Sequence, residues 1–243
     1  MAFDLPRDAV VPVDTIDVRV DAAPFPFEQV HAADIEGNWR EEVAANPALF
    51  DGRIILPGSL TLTGRKLHGH CHETRFATLL YWKRHRDTLP WEHAYAHAAL
   101  VSRDNVLVAI RMGSHTAGAG RVHFAAGSFE TEDVRDGRVD VDANMAREVR
   151  EETGIDITGL ARDPGYHLFS RAGGTVVFRR FWLDEDADTV AARIVGFVAA
   201  EAEPEIAGPV LIRGADALPD GIVQHMTGIV RWHFSGAGGV SPE

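Results

Sequence analysis

The chain has 243 residues, 24 Lys+Arg against 36 Asp+Glu for a formal net charge of −12, 45% apolar and 25% charged. That balance supplies a sizeable core and excludes disorder as the dominant state. Its negative field also excludes counterion-release binding to a nucleic acid polymer. The longest apolar stretch, Ile194 to Ala200, falls far short of the ~20 residues a membrane helix needs. The first residues lack a basic segment followed by an apolar run, and the single cysteine, Cys71, permits no intrachain disulfide. These features read as a cytoplasmic protein with no membrane partner.

In chain order, Val10 to Val20 alternates as a strand closed by Pro24 and Pro26. A helical pattern over Glu28 to Ala45 is interrupted near Gly37 and stops at Asn46 and Pro47. Arg53 to Leu62 and Lys66 to His72 predict strands around a turn at Thr63 and Gly64. Phe76, Leu79, Leu80 and Lys83 then set a helix over Phe76 to His85. A boundary at Asp87 to Pro90 divides the chain into an N-terminal extension of strands and helices (1–90) and a second domain (91–237). Residues 238–243 form a flexible tail.

Beyond the boundary, His97 to Val101 and Val106 to Ile110 predict a β-hairpin. A Gly-rich loop, Gly113 to Gly120, precedes a short strand from Val122 to Ala125. An acidic loop leads to a helix over Asp142 to Thr153. Strands follow at Tyr166 to Ser170 and Thr175 to Leu183, a helix at Thr189 to Glu201 and a strand at Pro209 to Ile212. The last element is an amphipathic helix from Gly221 to Phe234 with Ile222, Met226, Ile229 and Val230 as core positions. Interleaved strands and helices predict an α/β (α+β) chain with a mixed sheet between helices.

The helix over Asp142 to Thr153 carries the chemistry. Glu148, Glu151 and Glu152 stand three and four residues apart and project from one face. Hard divalent cations such as Mg²⁺ take oxygen ligands of this kind together with substrate phosphates. Arg147 can pair with Glu151 one turn on, and Gly154 supplies a helix stop. The order Arg147, Glu148, Val149, Glu151, Glu152, Gly154, Ile155 resembles the second half of the Nudix box. Phe124 to Glu130, a strand running into a turn at Gly127, resembles its first half.

The family sets its first Gly and its Arg-Glu pair fourteen residues apart, with a further Glu eight before the Arg; here Gly127 and Arg147 are twenty apart and Val139 stands at the Glu position. Six extra residues within Thr131 to Asp140 lengthen the loop. Asp140 and Asp142 are the candidates for the missing acid, and Asp142 is expected to cap the helix instead.

The resemblance implies a Nudix-like mixed β-sheet sandwiched between helices. It also implies Mg²⁺- or Mn²⁺-dependent hydrolysis of a diphosphate bond in a nucleoside diphosphate derivative, releasing a nucleoside monophosphate. Glu148, Glu151, Glu152 and the Gly127 carbonyl would hold the metal, with Arg147 pairing to the glutamates. The general base would be one of the box glutamates, or Glu205 or its neighbour Glu203 on a late loop. Arg111, Ser114 and His115 are candidate phosphate contacts, since an Arg fork matches phosphate geometry. The alternative is a catalytically weak or inactive module of this fold that binds a nucleotide ligand. Residues 1–90 loosely resemble the extension of a branch acting on UDP-sugars. Such extensions bind the variable group of the substrate or build a homodimer, and both roles stay open.

Other signals carry less. His68, His70 and His72 share a strand face, but three neighbours on one strand rarely converge on zinc. Cys71 should then point the other way, buried and inert. Gly118, Gly120 and the strand that follows lack the helix a dinucleotide fingerprint needs.

Overall fold

A computed structural model describes residues 3–89, 91–116 and 118–236. The expected tail at 238–243 lies outside them, as does Pro90 of the expected boundary. The N-terminal part runs β1 (Phe3–Asp4), β2 (Val10–Val13), β3 (Thr15–Asp21), α1 (Pro26–Val30), α2 (Ala32–Ala45), β4 (Arg53–Thr63), β5 (Lys66–Arg75) and α3 (Phe76–His85). Then follow β6 (His93–Val101), β7 (Leu107–Met112), β8 (Val122–His123), β9 (Val134–Arg135), β10 (Arg138–Val139) and α4 (Val141–Thr153). The chain ends with β11 (Ala161–Arg162), β12 (Tyr166–Arg171), β13 (Gly174–Trp182), α5 (Ala187–Ala200), β14 (Ile206–Ile212) and α6 (Gln224–Phe234).

Two mixed sheets result. One has the order β1-β4-β5-β3-β10-β9, the other β14-β7-β6-β13-β12-β2. Parallel pairing joins β6 to β13 and β3 to β5, while β4 and β5 form the long antiparallel hairpin expected around Gly64. Between the sheets lies a continuous core in which Val18, Leu60 and Leu67 meet Ala94, Ala96, Leu100, Met145 and Val149. On the far face of the second sheet α6 buries Met226, Ile229 and Val230 against Ala99, Val101, Phe124 and Phe178. A separate aromatic core of Phe25, Phe27, Ile35, Leu79, Trp82 and Trp91 sits under α1, α2 and α3. This is the mixed sheet flanked by helices that the interleaved pattern predicts, with an N-terminal β/α extension. Among the described residues no helix is long and apolar enough to cross a membrane.

Several local readings change. Val10 to Val20 is not one strand: β2 joins β12 in the second sheet and β3 joins β5 in the first. The break is at Asp14, whose N–H donates to the Arg65 carbonyl (2.7 Å) and whose carboxylate pairs with the Arg65 guanidinium (2.7 Å). The first helical region breaks at His31 (φ −108°, ψ 16°), not at Gly37, which lies inside α2. That kink lets Phe27 and Ile35 enter the same core. β6 starts at His93, before the expected hairpin strand, and α6 starts at Gln224, after the expected Gly221.

The six extra residues of the acidic loop form structure. β9 and β10 make a small hairpin, and Arg138 of β10 pairs with Arg19 of β3. Val20 N–H donates to the Gly137 carbonyl (2.9 Å), and Arg138 reaches Asp17 (3.0 Å). Two positive-φ residues in succession, Asp136 and Gly137, close the turn. The insertion therefore adds strands to the N-terminal sheet. Ile55 of β4 also donates its N–H to the Phe129 carbonyl (2.7 Å), bracing the loop that follows Gly127.

Candidate functional site

The N-terminus of α4 is capped by Asp140, whose side chain accepts from the Ala143 N–H at 3.0 Å. Asp142 does not cap. It lies in the first turn and accepts two hydrogen bonds from Arg179 (3.0 Å each) and one from Arg162 (3.2 Å). The helix ends as expected at Gly154, which takes φ 70° in the left-handed region. A Cβ there would also run into the Phe197 ring, so Gly is demanded twice.

The acid that faces Arg147 is Asp133, which the sequence reading passed over. Asp133 is 1% exposed. It accepts from Arg147 Nη2 (2.8 Å), Asn144 Nδ2 (2.9 Å) and the Glu130 N–H (2.9 Å). The register explains the omission. Counted back from Arg147 the position holds Val139, but counted forward from Gly127 the family's interval of six residues lands on Asp133. The hairpin insertion falls between this acid and the helix, leaving the ion pair intact.

Arg147 is the hub. Besides Asp133 it contacts Glu148 (2.9 Å) and Glu151 (3.0 Å), and its Nη2 donates to the Ser128 carbonyl (3.3 Å). Burial opposes its charge, but the hydrogen bonds to Asp133 and the charges of Glu148, Asp133 and Glu151 outweigh that and raise its pKa. Glu148 and Glu152 are buried, at 7% and 4% exposure, while Glu151 is exposed. Glu152 accepts from the Ala126 N–H (2.9 Å), which ties the helix to the Gly127 loop. The Glu148 carboxylate lies against the Gly127 Cα, where any Cβ would collide with it. This contact explains the glycine without any need for a positive φ.

Burial pushes the Glu148 carboxyl up to about 8 against the pull of Arg147, with repulsion from Glu151, Asp133 and Glu130 adding to the shift. Glu152 is held well above the usual carboxylate range by burial first. The charges of Glu148, Glu205 and Glu151 raise it further, against the Ala126 hydrogen bond. Glu205 therefore stands near enough to act on Glu152, although it is itself exposed. Its backbone carbonyl accepts from the Gly113 N–H (2.8 Å), so the loop before β14 and the loop after β7 meet at this end of the sheet. Ser114 and His115 are exposed on that second loop. Arg111 is turned to the other side, donating to the Gly120 and Asp220 carbonyls (3.1 Å each).

The three glutamates thus share a helix but not an environment. Among the described residues no group of three or more His, Cys, Asp or Glu side chains is placed to hold a metal ion. Glu151 points to solvent with an oxygen on Arg147, one oxygen of Glu148 is on Arg147, and one oxygen of Glu152 is on Ala126. A three-carboxylate cage for Mg²⁺ does not fit this arrangement. Glu148 and Glu152, two buried acids one turn apart beside the Gly127 backbone, remain as a pair. His68 bonds Thr63 (3.0 Å), His72 stacks on Phe25 and its Nδ1 lies 3.1 Å from the Ala23 carbonyl. Burial pushes the Cys71 thiol up to about 12, as its expected inertness requires.

No family model matches the chain, and no curated protein is significantly similar to it. Among solved structures it is similar to DR0079 from Deinococcus radiodurans, at 14% identity and a TM-score of 0.39, over 66% of this chain and 82% of that one. It is similar to the MutT protein of Methanosarcina mazei Go1 at 20% identity and a TM-score of 0.28, over 41% of this chain and 70% of that one. With the E. coli ORF135 protein the identity is 15% and the TM-score 0.36, over 61% of this chain and 94% of that one. The superpositions are loose in every case.

Proposed function

We propose that this chain is a Nudix-like module that binds a nucleoside diphosphate derivative at the Gly127 loop and α4, with weak or no hydrolysis. The observation that carries the reading is the Arg147 hub. It draws Glu148, Glu151 and Asp133 to one guanidinium, so the carboxylates that a hydrolase of this kind would turn on cations are already engaged. Burial pushes the Glu148 carboxyl up to about 8, so it holds a proton in the neutral range, and Glu152 is shifted in the same direction. Protonated carboxyls donate hydrogen bonds and do not repel a diphosphate.

One observation favours the second reading, a Mg²⁺- or Mn²⁺-dependent pyrophosphohydrolase. Glu148 and Glu205 both raise the pKa of Glu152, and a cation entering among them would favour its deprotonated form and relieve that repulsion. A metal bound there would supply Lewis-acid stabilisation and an activated water. Arg147 would keep Glu148 in place, and Glu205 would approach from the loop before β14.

Calorimetric titration with nucleoside diphosphate derivatives, with and without Mg²⁺, tests binding. The expected result is saturable binding that Gly127→Ala weakens at least tenfold, because the added Cβ displaces Glu148. Absence of binding across nucleoside diphosphates, their sugar esters and dinucleoside diphosphates would remove the proposal.

A further inference from the structure

Helices α1, α2 and α3 cover one end of the outer face of the N-terminal sheet, where Ile54 and Leu56 of β4 share a core with Phe25, Leu79 and Trp82. Toward the other end Val18, Leu67 and Val139 turn inward to the core between the sheets, and Val134 packs against it. Strand alternation sends their neighbours Arg19, Lys66, Arg138 and Arg135 to the outer face. All four are exposed, as are Thr15 and His70 beside them.

The pairing register sets these residues in a row. Arg135 of β9 stands opposite Arg138 of β10, Arg138 opposite Arg19 of β3, and Arg19 opposite His70 of β5. Neighbouring strands lie ~4.8 Å apart, so the row crosses four strands over about 14 Å. Like charges placed directly opposite one another destabilise a sheet, and here three arginine positions follow in succession. Two of them, Arg135 and Arg138, belong to the inserted hairpin, so the lengthened loop widens this basic face.

Little on the face offsets these charges. Asp17 accepts from Arg138 (3.0 Å), Lys66 (3.1 Å) and Arg19 (3.4 Å). Among the described residues it is the one carboxylate that pairs with any of the three. Arg135 donates to the Glu132 and Val134 carbonyls and has no carboxylate partner among the described residues. Asp21, at the end of β3, accepts instead from the Ala23 N–H (2.9 Å). In a chain of net charge −12, this face keeps an excess of positive charge that the stability of the sheet does not require.

Spacing and charge together select the occupant. A helix sets side chains three or four residues apart at about 5–6 Å along one face, close to the interval of the row. An extended chain sets its same-face groups roughly 6.6 Å apart, a poorer match. Single-stranded nucleic acid binds by stacking its bases on aromatic side chains, and no Phe, Tyr or Trp stands among the exposed residues of this row. The field of the whole chain opposes both a polyanion and a second copy. We propose that Arg135, Arg138, Arg19 and His70, with Lys66 beside them, form a docking surface for an acidic helix of a partner protein. Carboxylates along one face of that helix accept from successive guanidinium groups. The surface uses no residue of α4 or of the Gly127 loop, so it stands independently of the nucleotide reading.

The test is fluorescence anisotropy of the full chain with a labelled helical peptide carrying Glu at every fourth position, and with the same peptide carrying Gln there. The expected result is saturable binding of the Glu peptide, at least tenfold tighter than that of the Gln peptide and lost in ~0.5 M salt. Arg19→Gln and Arg138→Gln should each weaken it at least threefold, and the double variant at least tenfold. Both lie at exposed positions, so the melting temperature should stay within about 2 °C of the parent. Arg40→Gln, exposed on α2, should leave binding unchanged. Equal affinity for the two peptides would overturn the proposal, as would full affinity in the double variant or an equal loss in Arg40→Gln. So would tighter binding of a single-stranded oligonucleotide at the same arginines, or self-association through them in sedimentation.

Discussion

Glu148→Gln should stabilise the protein, and by an amount that grows with pH. In the native state burial raises the Glu148 carboxyl from 4.5 to about 8. Between those values the folded chain keeps a proton that the unfolded chain releases, so folding is penalised as the pH rises. At pH 7 the native and unfolded forms differ by ~2.5 pKa units of linkage, or ~3 kcal/mol. Glutamine has the same shape and still offers an oxygen to Arg147, but it forfeits the charge that Arg147 favours and sets an amide near a guanidinium. A net gain of ~1–3 kcal/mol is expected at neutral pH, raising Tm by roughly 2–10 °C for a chain of this size. At pH 4, where the carboxyl is protonated in both states, the gain should vanish. Thermal unfolding of both proteins at pH 4, 6 and 8 by calorimetry or circular dichroism measures it. An equal shift at pH 4 and pH 8, or a variant less stable at every pH, would refute the reasoning that burial holds a proton on Glu148.

Three other outcomes follow from the same geometry. Asp133→Asn removes the buried carboxylate under Arg147 and should destabilise by about 3–5 kcal/mol, the usual consequence of stranding one partner of a buried pair; urea unfolding reads it directly. Gly154→Ala must place an L side chain at φ 70° and against Phe197, so a loss above ~1 kcal/mol is expected in the same assay. His93 and His225 are held down to about 3, and His167 and His233 to about 4, in each case by burial first. Their folded values lie below the unfolded one, so the unfolded chain binds more protons in acid and stability should fall as the pH drops below about 6.5. Calorimetry at pH 5 in buffers of differing ionisation enthalpy should register proton uptake on unfolding.

Much of this architecture is legible in the sequence because local pattern and burial agree. Phe76 to His85 forms the expected helix, since Leu79 and Leu80 face the core and no Pro or Gly interrupts them. The same agreement holds for the β4–β5 hairpin and for the body of α4. Where long-range pairing decides, the pattern is silent. Nothing in Val10 to Val20 announces that its halves enter different sheets, because that depends on Arg65 meeting Asp14. Asp133 is hidden to a count made back from Arg147, because the β9–β10 hairpin that joins the N-terminal sheet lies between them; counted forward from Gly127 it stands six residues on. The spacing of His93, Tyr95 and His97 is visible as a strand face. Their partners His123 and His225 arrive from distant segments that only the fold brings near.

The most direct test of the account is phosphorus NMR of a nucleoside diphosphate derivative mixed with excess protein at saturating Mg²⁺, then Mn²⁺. A chain whose Glu148 and Glu151 are engaged by Arg147 should leave the bound diphosphate resonances intact, with conversion too slow to complete a turnover within hours. Rapid appearance of a nucleoside monophosphate, abolished by Glu152→Gln in a protein that still folds, would contradict it.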